Sequence, residues 1–227
     1  MPRTEEVTFP SRDAHVGQLR GVLHVPDGAP IAGVVICHPY PPTSNMDRPV
    51  EVALARKLSE GGATALRFNF HSVGQAEVDL TRGPSELLDV AGAVDYLAGR
   101  TDLVGKPVYL CGRSFGASMA LHWGVRDERV QGIVAISTPL GWADRQVIPR
   151  DRLMAYARPK LFIVGDRDEL CSVAIHEALM AALPEPKESH VVADADHFLS
   201  ARAEEVAGVA AAALLRWGRG VSETSSP

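Results

Sequence analysis

The hydrophobic positions follow two different periods along the chain. From about residue 31 onward, short and nearly continuous apolar runs alternate with segments in which apolar residues recur every three or four positions. The apolar runs predict buried strands, and the recurring spacing predicts amphipathic helices. Strands that alternate with helices are typical of a parallel sheet covered by helices on both faces. The predicted strands are residues 32–38, 63–70, 107–112, 130–137, 160–165 and 187–194.

The remaining segments complete this α/β architecture. Residues 49–62 and 85–99 end at glycine, as expected of crossover helices, and residues 175–183 and 203–217 supply two more helices. Apolar and polar residues alternate in part around a turn within residues 5–26, which predicts an antiparallel hairpin at one sheet edge. We therefore expect one domain over residues 1–227, with a mostly parallel eight-stranded sheet and a disordered tail at about residues 219–227.

Composition and charge narrow the class of partner. The 227 residues are 46% hydrophobic and carry a net charge of -5, with lysine and arginine dispersed along the chain, so we expect a small-molecule partner and no nucleic acid or membrane. The amino terminus has no apolar stretch, which predicts a cytoplasmic protein. Three distant cysteines predict neither disulfides nor a metal site, and nothing in the pattern calls for a cofactor. For the oligomeric state, the sequence is compatible with both a monomer and a homodimer.

One short motif carries candidate chemistry. In CGRSFG, Gly112 and Gly116 flank Ser114, a predicted strand ends just before, and a predicted helix begins directly after. A sharp turn between strand and helix holds a serine outside the sheet, and the flanking glycines avoid collisions in so tight a turn. A chance match is the alternative in a glycine-rich chain. The strand-turn-helix context favours a nucleophile.

A serine nucleophile needs a base, and the base needs a carboxylate to orient it. Asp166 and Asp168 follow the predicted strand 160–165, and His197 follows the last predicted strand. The order Ser, Asp, His is the one that this type of turn implies. Asp194 and Asp196 are close to His197 along the chain, and we interpret them as part of an exposed polar loop.

Four segments together resemble a known family. HPYPPTSNMD, LRFNFHSVGQAE, CGRSFG and DADHF are similar to motifs of the α/β-hydrolase superfamily, and in particular of small bacterial serine hydrolases distantly related to dienelactone hydrolase. The resemblance covers about residues 15–217 and implies the α/β-hydrolase fold. Its Gly-x-x-Asp pattern favours Asp168 over Asp166 as the carboxylate that orients His197. His71 and Ser72 depart from it, because the group has arginine and glycine there.

The proline-rich turn after strand 32–38 constrains the oxyanion hole. Such a hole takes one backbone N–H from the residue after the nucleophile, here Phe115, and one from this turn. Proline has no N–H, so Tyr40 is the only residue between His38 and Thr43 that can donate.

Three further residues are candidates for lining the substrate site: His38, His71 and Trp142. His38 is also interpreted as a brace for the proline-rich turn, and Trp142 as part of a helix that covers the sheet. Only a short segment separates strands 130–137 and 160–165, so we expect a minimal cap and a comparatively open site.

These features predict a serine hydrolase that cleaves a carboxylic ester, lactone or thioester through an acyl-enzyme, with Ser114, His197 and Asp168 as the catalytic residues. Two alternatives remain. The same residues serve acyl transfer, lactonisation or carbon–carbon bond cleavage in other enzymes, and a member of the fold can retain the pocket for binding alone.

Overall fold

Strands and helices alternate along the chain in the computed structural model, which describes residues 2–75, 85–141 and 148–223. The strands are β1 Arg3–Pro10, β2 Gln18–Val25, β3 Gly33–Cys37, β4 Thr64–Phe68, β5 Val108–Arg113, β6 Val130–Ile136, β7 Lys160–Gly165 and β8 Lys187–Val192. The helices are α1 Pro49–Glu60, α2 Glu86–Ala98, α3 Phe115–Gly124, α4 Arg150–Met154, α5 Val173–Ala182 and α6 Ala203–Glu223.

The strands form one eight-stranded sheet in the order β1-β2-β4-β3-β5-β6-β7-β8. β1 and β2 form the predicted hairpin at one edge, and β2 pairs antiparallel with β4. All remaining pairs are parallel. The mostly parallel eight-stranded sheet predicted from the hydrophobic pattern is therefore confirmed.

Successive residues of a strand point to opposite faces of the sheet, and each face has its own hydrophobic core. In β3, Val34 and Ile36 belong to the core beneath α1 and α6, whereas Val35 and Cys37 belong to the core beneath α2, α3 and α5. Because helices cover both faces, β3, β4 and β5 are buried along their whole length. This burial explains why their sequences are largely apolar.

The segment between β6 and β7 is short, as the sequence predicts. Its described part contains α4, a helix of five residues, and Trp142 lies in the stretch 142–147, outside the described residues. Within the described ranges, no helix combines the length and the apolar character needed to cross a membrane.

α6 extends to Glu223, five residues into the segment 219–227 whose composition predicts a disordered tail. Arg219 donates from Nη2 to the carbonyl of Gly61 at 3.4 Å, which ties the last turns of α6 to the turn after α1. A helix that packs against α1 along its length gains tertiary support, which the polar composition of the tail does not reveal.

Parallel strands end at the same edge of a sheet, and ligands of α/β proteins collect at that edge. The turns after β3, β5, β7 and β8 carry the candidate residues Tyr40, Ser114, Asp168 and His197 in that order. The topology therefore brings together four segments that are far apart in the sequence.

Candidate active site

Ser114 lies in a strained turn between β5 and α3. Its backbone has φ 53° and ψ −118°, a conformation that residues with a side chain rarely adopt. The turn is held on both sides, because Ser114 N donates to the Ile136 carbonyl at 2.8 Å and Ala117 N donates to the Ser114 carbonyl at 3.0 Å. Strain of this kind persists where the surrounding structure enforces it, and it is concentrated at functional sites.

Neighbouring backbone atoms leave no room for a side chain at Gly112 or Gly116. A Cβ atom at Gly112 would lie 2.1 Å from the Gly116 carbonyl oxygen, and a Cβ atom at Gly116 would lie 2.2 Å from the Cys37 oxygen and 2.5 Å from the His38 oxygen. Side chains at these positions would collide with backbone atoms that cannot move independently. The same close approach brings the turn after β3 directly against the Ser114 turn.

A continuous chain of hydrogen bonds joins Ser114, His197 and Asp168. The Ser114 Oγ lies 2.8 Å from His197 Nε2, and His197 Nδ1 lies 2.9 Å from both carboxylate oxygens of Asp168. Because the carboxylate only accepts, these contacts fit the imidazole tautomer with its proton on Nδ1. Nε2 is then free to accept the serine proton, so this arrangement can activate a hydroxyl group.

Asp168 is fixed by its own turn before it meets the histidine. It is buried, and its Oδ1 accepts hydrogen bonds from the backbone N–H groups of Leu170 at 2.9 Å and Cys171 at 3.0 Å. Two amide donors hold one carboxylate oxygen in place, so the side chain cannot rotate away from His197.

The other aspartates serve the turns, in agreement with the sequence interpretation. Asp166 is exposed and accepts from Ala195 N at 3.0 Å, and that amide hydrogen bond holds the pKa of its carboxyl below the usual value. Asp194 pairs with Arg167, and Asp196 accepts from two backbone N–H groups that follow His197. None of these contacts involves the imidazole.

Tyr40 and Phe115 lie next to each other. Their rings pack edge to face with centroids 6.1 Å apart. Phe115 is the first residue of α3, where N–H groups have no partner within a helix. The two turns that carry the predicted oxyanion donors are therefore in contact.

His38 makes the contacts of a brace. Its Nδ1 donates to the Pro39 carbonyl at 2.6 Å, and its Nε2 accepts from the backbone N–H of Phe70 at 3.2 Å. Burial lowers the pKa of His38 to about 4, so the ring is neutral. The side chain has no exposed surface, which favours the brace over a place in the substrate lining.

His71 faces α2. Its Nδ1 lies 2.7 Å from Asp89 Oδ2, and its Nε2 lies 3.2 Å from the hydroxyl of Ser85. Both ring nitrogens are therefore engaged with residues at the start of α2. The contact of His71 with substrate stays a prediction, and a ring nitrogen would have to leave one of these partners to make it.

The sequence reasoning missed one buried ion pair beside the site. The Arg113 guanidinium donates from Nε and Nη2 to the Glu51 carboxylate at 2.9 and 3.3 Å, and from Nη1 to the Phe198 carbonyl at 3.0 Å. The only local signal is an arginine inside an otherwise apolar and small-residue strand end, and that signal does not identify its partners.

Comparisons with known proteins agree with this fold. A family model described as an alpha/beta hydrolase domain matches residues 34–215. An uncharacterized protein of Rickettsia prowazekii (strain Madrid E) is 29% identical over 184 residues, which cover 78% of this chain and 75% of that protein.

Solved structures extend the comparison. An alpha-beta serine hydrolase homologue from Coxiella burnetii has a TM-score of 0.76 at 25% identity, with 92% of this chain and 96% of that chain covered. A dienelactone hydrolase from Anabaena variabilis has a TM-score of 0.76 at 22% identity, with 95% and 98% covered, a likeness of fold.

Proposed function

Since this chain belongs to the alpha/beta hydrolase family and is a hydrolase, we propose that it is a serine hydrolase that cleaves a carboxylic ester, lactone or thioester through an acyl-enzyme intermediate. One observation carries the proposal. The Ser114 hydroxyl stands on a strained turn at the carboxyl edge of the sheet, 2.8 Å from an imidazole nitrogen whose partner nitrogen is held by a buried carboxylate.

The geometry supports a two-step reaction. Ser114 Oγ forms a bond to the carbonyl carbon of the substrate while its proton moves to His197 Nε2, and the carbonyl π electrons move to the oxygen. The oxyanion then re-forms the carbonyl and expels the alcohol or thiol, which takes the proton from His197. Water repeats the sequence on the acyl-enzyme and releases the acid and free Ser114. Asp168 orients His197 throughout and stabilises the imidazolium.

Backbone amides are the proposed oxyanion donors. Phe115 N–H at the start of α3 also benefits from the partial positive charge of a helix amino terminus. Tyr40 supplies the second amide, because Pro39, Pro41 and Pro42 have none. The hydrogen bond between His38 and the Pro39 carbonyl stiffens this turn, and a stiff donor needs no reorganisation when charge develops.

The proposed chemistry defines the substrate by its chemical class. A carbonyl carbon with an oxygen or sulfur leaving group suits this machinery. Acyl transfer, lactonisation and carbon–carbon cleavage use the same nucleophile and differ in the acceptor and in water access. Binding without catalysis is the remaining alternative, and the intact hydrogen-bond chain of Ser114, His197 and Asp168 argues against it.

A fluorophosphonate probe tests the proposal. We expect the wild-type protein to gain the mass of one adduct, mapped by peptide analysis to Ser114, and Ser114→Ala to gain none. Ser118→Ala is the matched control, because this buried serine lies one turn further along α3. It should label as the wild type does. An unlabelled wild type, or an adduct that survives in Ser114→Ala, would contradict the proposal.

Product analysis then separates the reactions. 4-Nitrophenyl esters of graded acyl length, a thioester and a lactone should yield free acid. Acyl transfer predicts a new ester or amide when an alcohol or amine is added, with the yield of acid falling in proportion.

A further inference from the structure

One guanidinium group joins three separate segments beside the proposed active site. Arg113 is the residue before Ser114, Glu51 lies in the first turn of α1, and Phe198 follows His197. The Arg113 and Glu51 side chains are 6% and 2% exposed. The ion pair therefore lies inside the protein, although it is directly adjacent in sequence to the nucleophile.

We propose that Arg113 is a positioning residue, which holds the His197 loop in register with Ser114 through its hydrogen bond to the Phe198 carbonyl. This role deepens the proposed function and rests on it. Arg113 does not touch the reacting atoms. It acts through the peptide that directly follows His197.

The anchoring on the two sides of His197 supports this role. On the amino-terminal side, Ala195 is held twice, because its N–H donates to Asp166 at 3.0 Å and its carbonyl accepts from Arg167 N at 2.9 Å. On the carboxyl side, the Phe198 carbonyl accepts from Arg113 at 3.0 Å. Because Arg113 directly precedes Ser114, this hydrogen bond fixes the position of the His197 loop relative to the nucleophile.

The residue types suit this task. The planar guanidinium of arginine lets Nε and Nη2 bind one carboxylate while Nη1 donates to the carbonyl. A lysine ammonium is a single compact charge and lacks this fork of donors. Glu51 neutralises the guanidinium, which would otherwise be an unpaired buried charge. Glu51 thus keeps Arg113 buried, and Arg113 restrains the histidine loop.

The principal variant removes both charges at once. Arg113→Met/Glu51→Met leaves no unpaired buried charge and deletes the bond to Phe198. A distant mutation that displaces a catalytic group by about 1 Å can lower the rate about 10²-fold. We therefore expect kcat for 4-nitrophenyl acetate to fall about 10- to 100-fold, with KM within about threefold of the wild-type value.

Lys160→Met is the matched control. Lys160 is a buried cation at the opposite end of the sheet, and its ammonium donates to the Pro184 and Pro186 carbonyls at 2.9 and 3.0 Å. Its loss also removes buried hydrogen bonds to carbonyl oxygens. At temperatures where the protein stays folded, we expect kcat within about twofold of wild type.

A spectroscopic readout separates positioning from general stability. The Nδ1 proton of His197, shared with Asp168, should give a far-downfield proton resonance in the wild type and in Lys160→Met. It should broaden or vanish in Arg113→Met/Glu51→Met. If that double variant does not fold, Arg113→Lys keeps the charge opposite Glu51, and we expect the same loss of kcat and of the resonance.

The outcomes are distinguishable. A double variant that keeps both kcat and the resonance would overturn the role of Arg113, as would equal losses in Lys160→Met. A wild type that neither labels with fluorophosphonate nor hydrolyses any ester refutes the proposed function. The resonance still tests the positioning of His197 in that case.

Discussion

Replacing Asp168 by asparagine changes one atom at the centre of the proposed site. Asp168 Oδ1 already accepts from the amides of Leu170 and Cys171, so the asparagine carbonyl should take that position. The amide NH₂ then replaces Oδ2, 2.9 Å from His197 Nδ1, while Oδ1, at the same distance, is already occupied by the two amides. A donor at that distance favours the tautomer with its proton on Nε2, which cannot accept the Ser114 proton.

The expected loss of kcat in Asp168→Asn has two sources. A full negative charge about 4 Å from an imidazolium stabilises it by about 4 kcal/mol at an effective dielectric constant of ~20. Losing this stabilisation corresponds to about 10³ in rate. The wrong tautomer adds to the loss, and the same exchange in the Ser-His-Asp triad of another fold lowers kcat by about 10⁴. We therefore expect kcat to fall about 10³- to 10⁴-fold.

The assay compares Asp168→Asn with Asp166→Asn on 4-nitrophenyl acetate, with urea unfolding to verify that both variants are folded. An asparagine at position 166 still offers an oxygen to the Ala195 amide, so we expect kcat within about threefold of wild type. If Asp166→Asn proves the more damaging of two folded variants, the assignment of the orienting carboxylate is refuted.

Three further predictions concern Tyr40, Gly116 and His38, which lie in the turns around the site. Tyr40→Phe keeps the backbone N–H and should leave kcat within a few fold, whereas Tyr40→Pro should lower it by about 10² to 10³; equal losses would implicate the phenol. Gly116→Ala places a Cβ atom 2.2 Å from the Cys37 oxygen and should destabilise by about 1–3 kcal/mol in urea unfolding. Gly208→Ala, with nothing within 4 Å, should instead be neutral or stabilising. Burial lowers the pKa of His38 from 6.5 to about 4, so the unfolded chain binds the proton first and stability falls as pH drops from 6.5 toward 4. From pH 7 to 5 the wild type should lose about 2 kcal/mol more than His38→Asn, and equal losses would contradict the neutral ring.

The strands could be predicted from sequence because burial on both faces leaves a simple pattern. The predicted strand 63–70 is β4, Thr64–Phe68, and 187–194 is β8, Lys187–Val192. Both end two residues early for reasons that hydrophobicity does not encode. The Phe70 N–H donates to His38 rather than to a neighbouring strand, and Asp194 has φ 54°, which breaks the extended backbone.

The residues that meet in the site were also predictable, because each follows a strand of the same parallel sheet. Ser114, Asp168 and His197 each follow a strand, and the structure places His197 2.8 Å from Ser114 and 2.9 Å from Asp168. The Arg113 partner was not predictable, because Glu51 is 62 residues away and only the fold joins them.

The orientation of His71 is related to a second sequence signal, the acidic residues of α2. The resemblance marked this residue as unusual, and its place at a strand end favoured contact with substrate. Yet Glu86 and Asp89 lie three residues apart on one face of α2 and are both buried. Buried carboxylates require donors or a cation, and here Ser72 donates to Glu86 while His71 lies 2.7 Å from Asp89 and 4.0 Å from Glu86. Two buried acids at such spacing therefore indicate that donors or a basic side chain face this part of the helix.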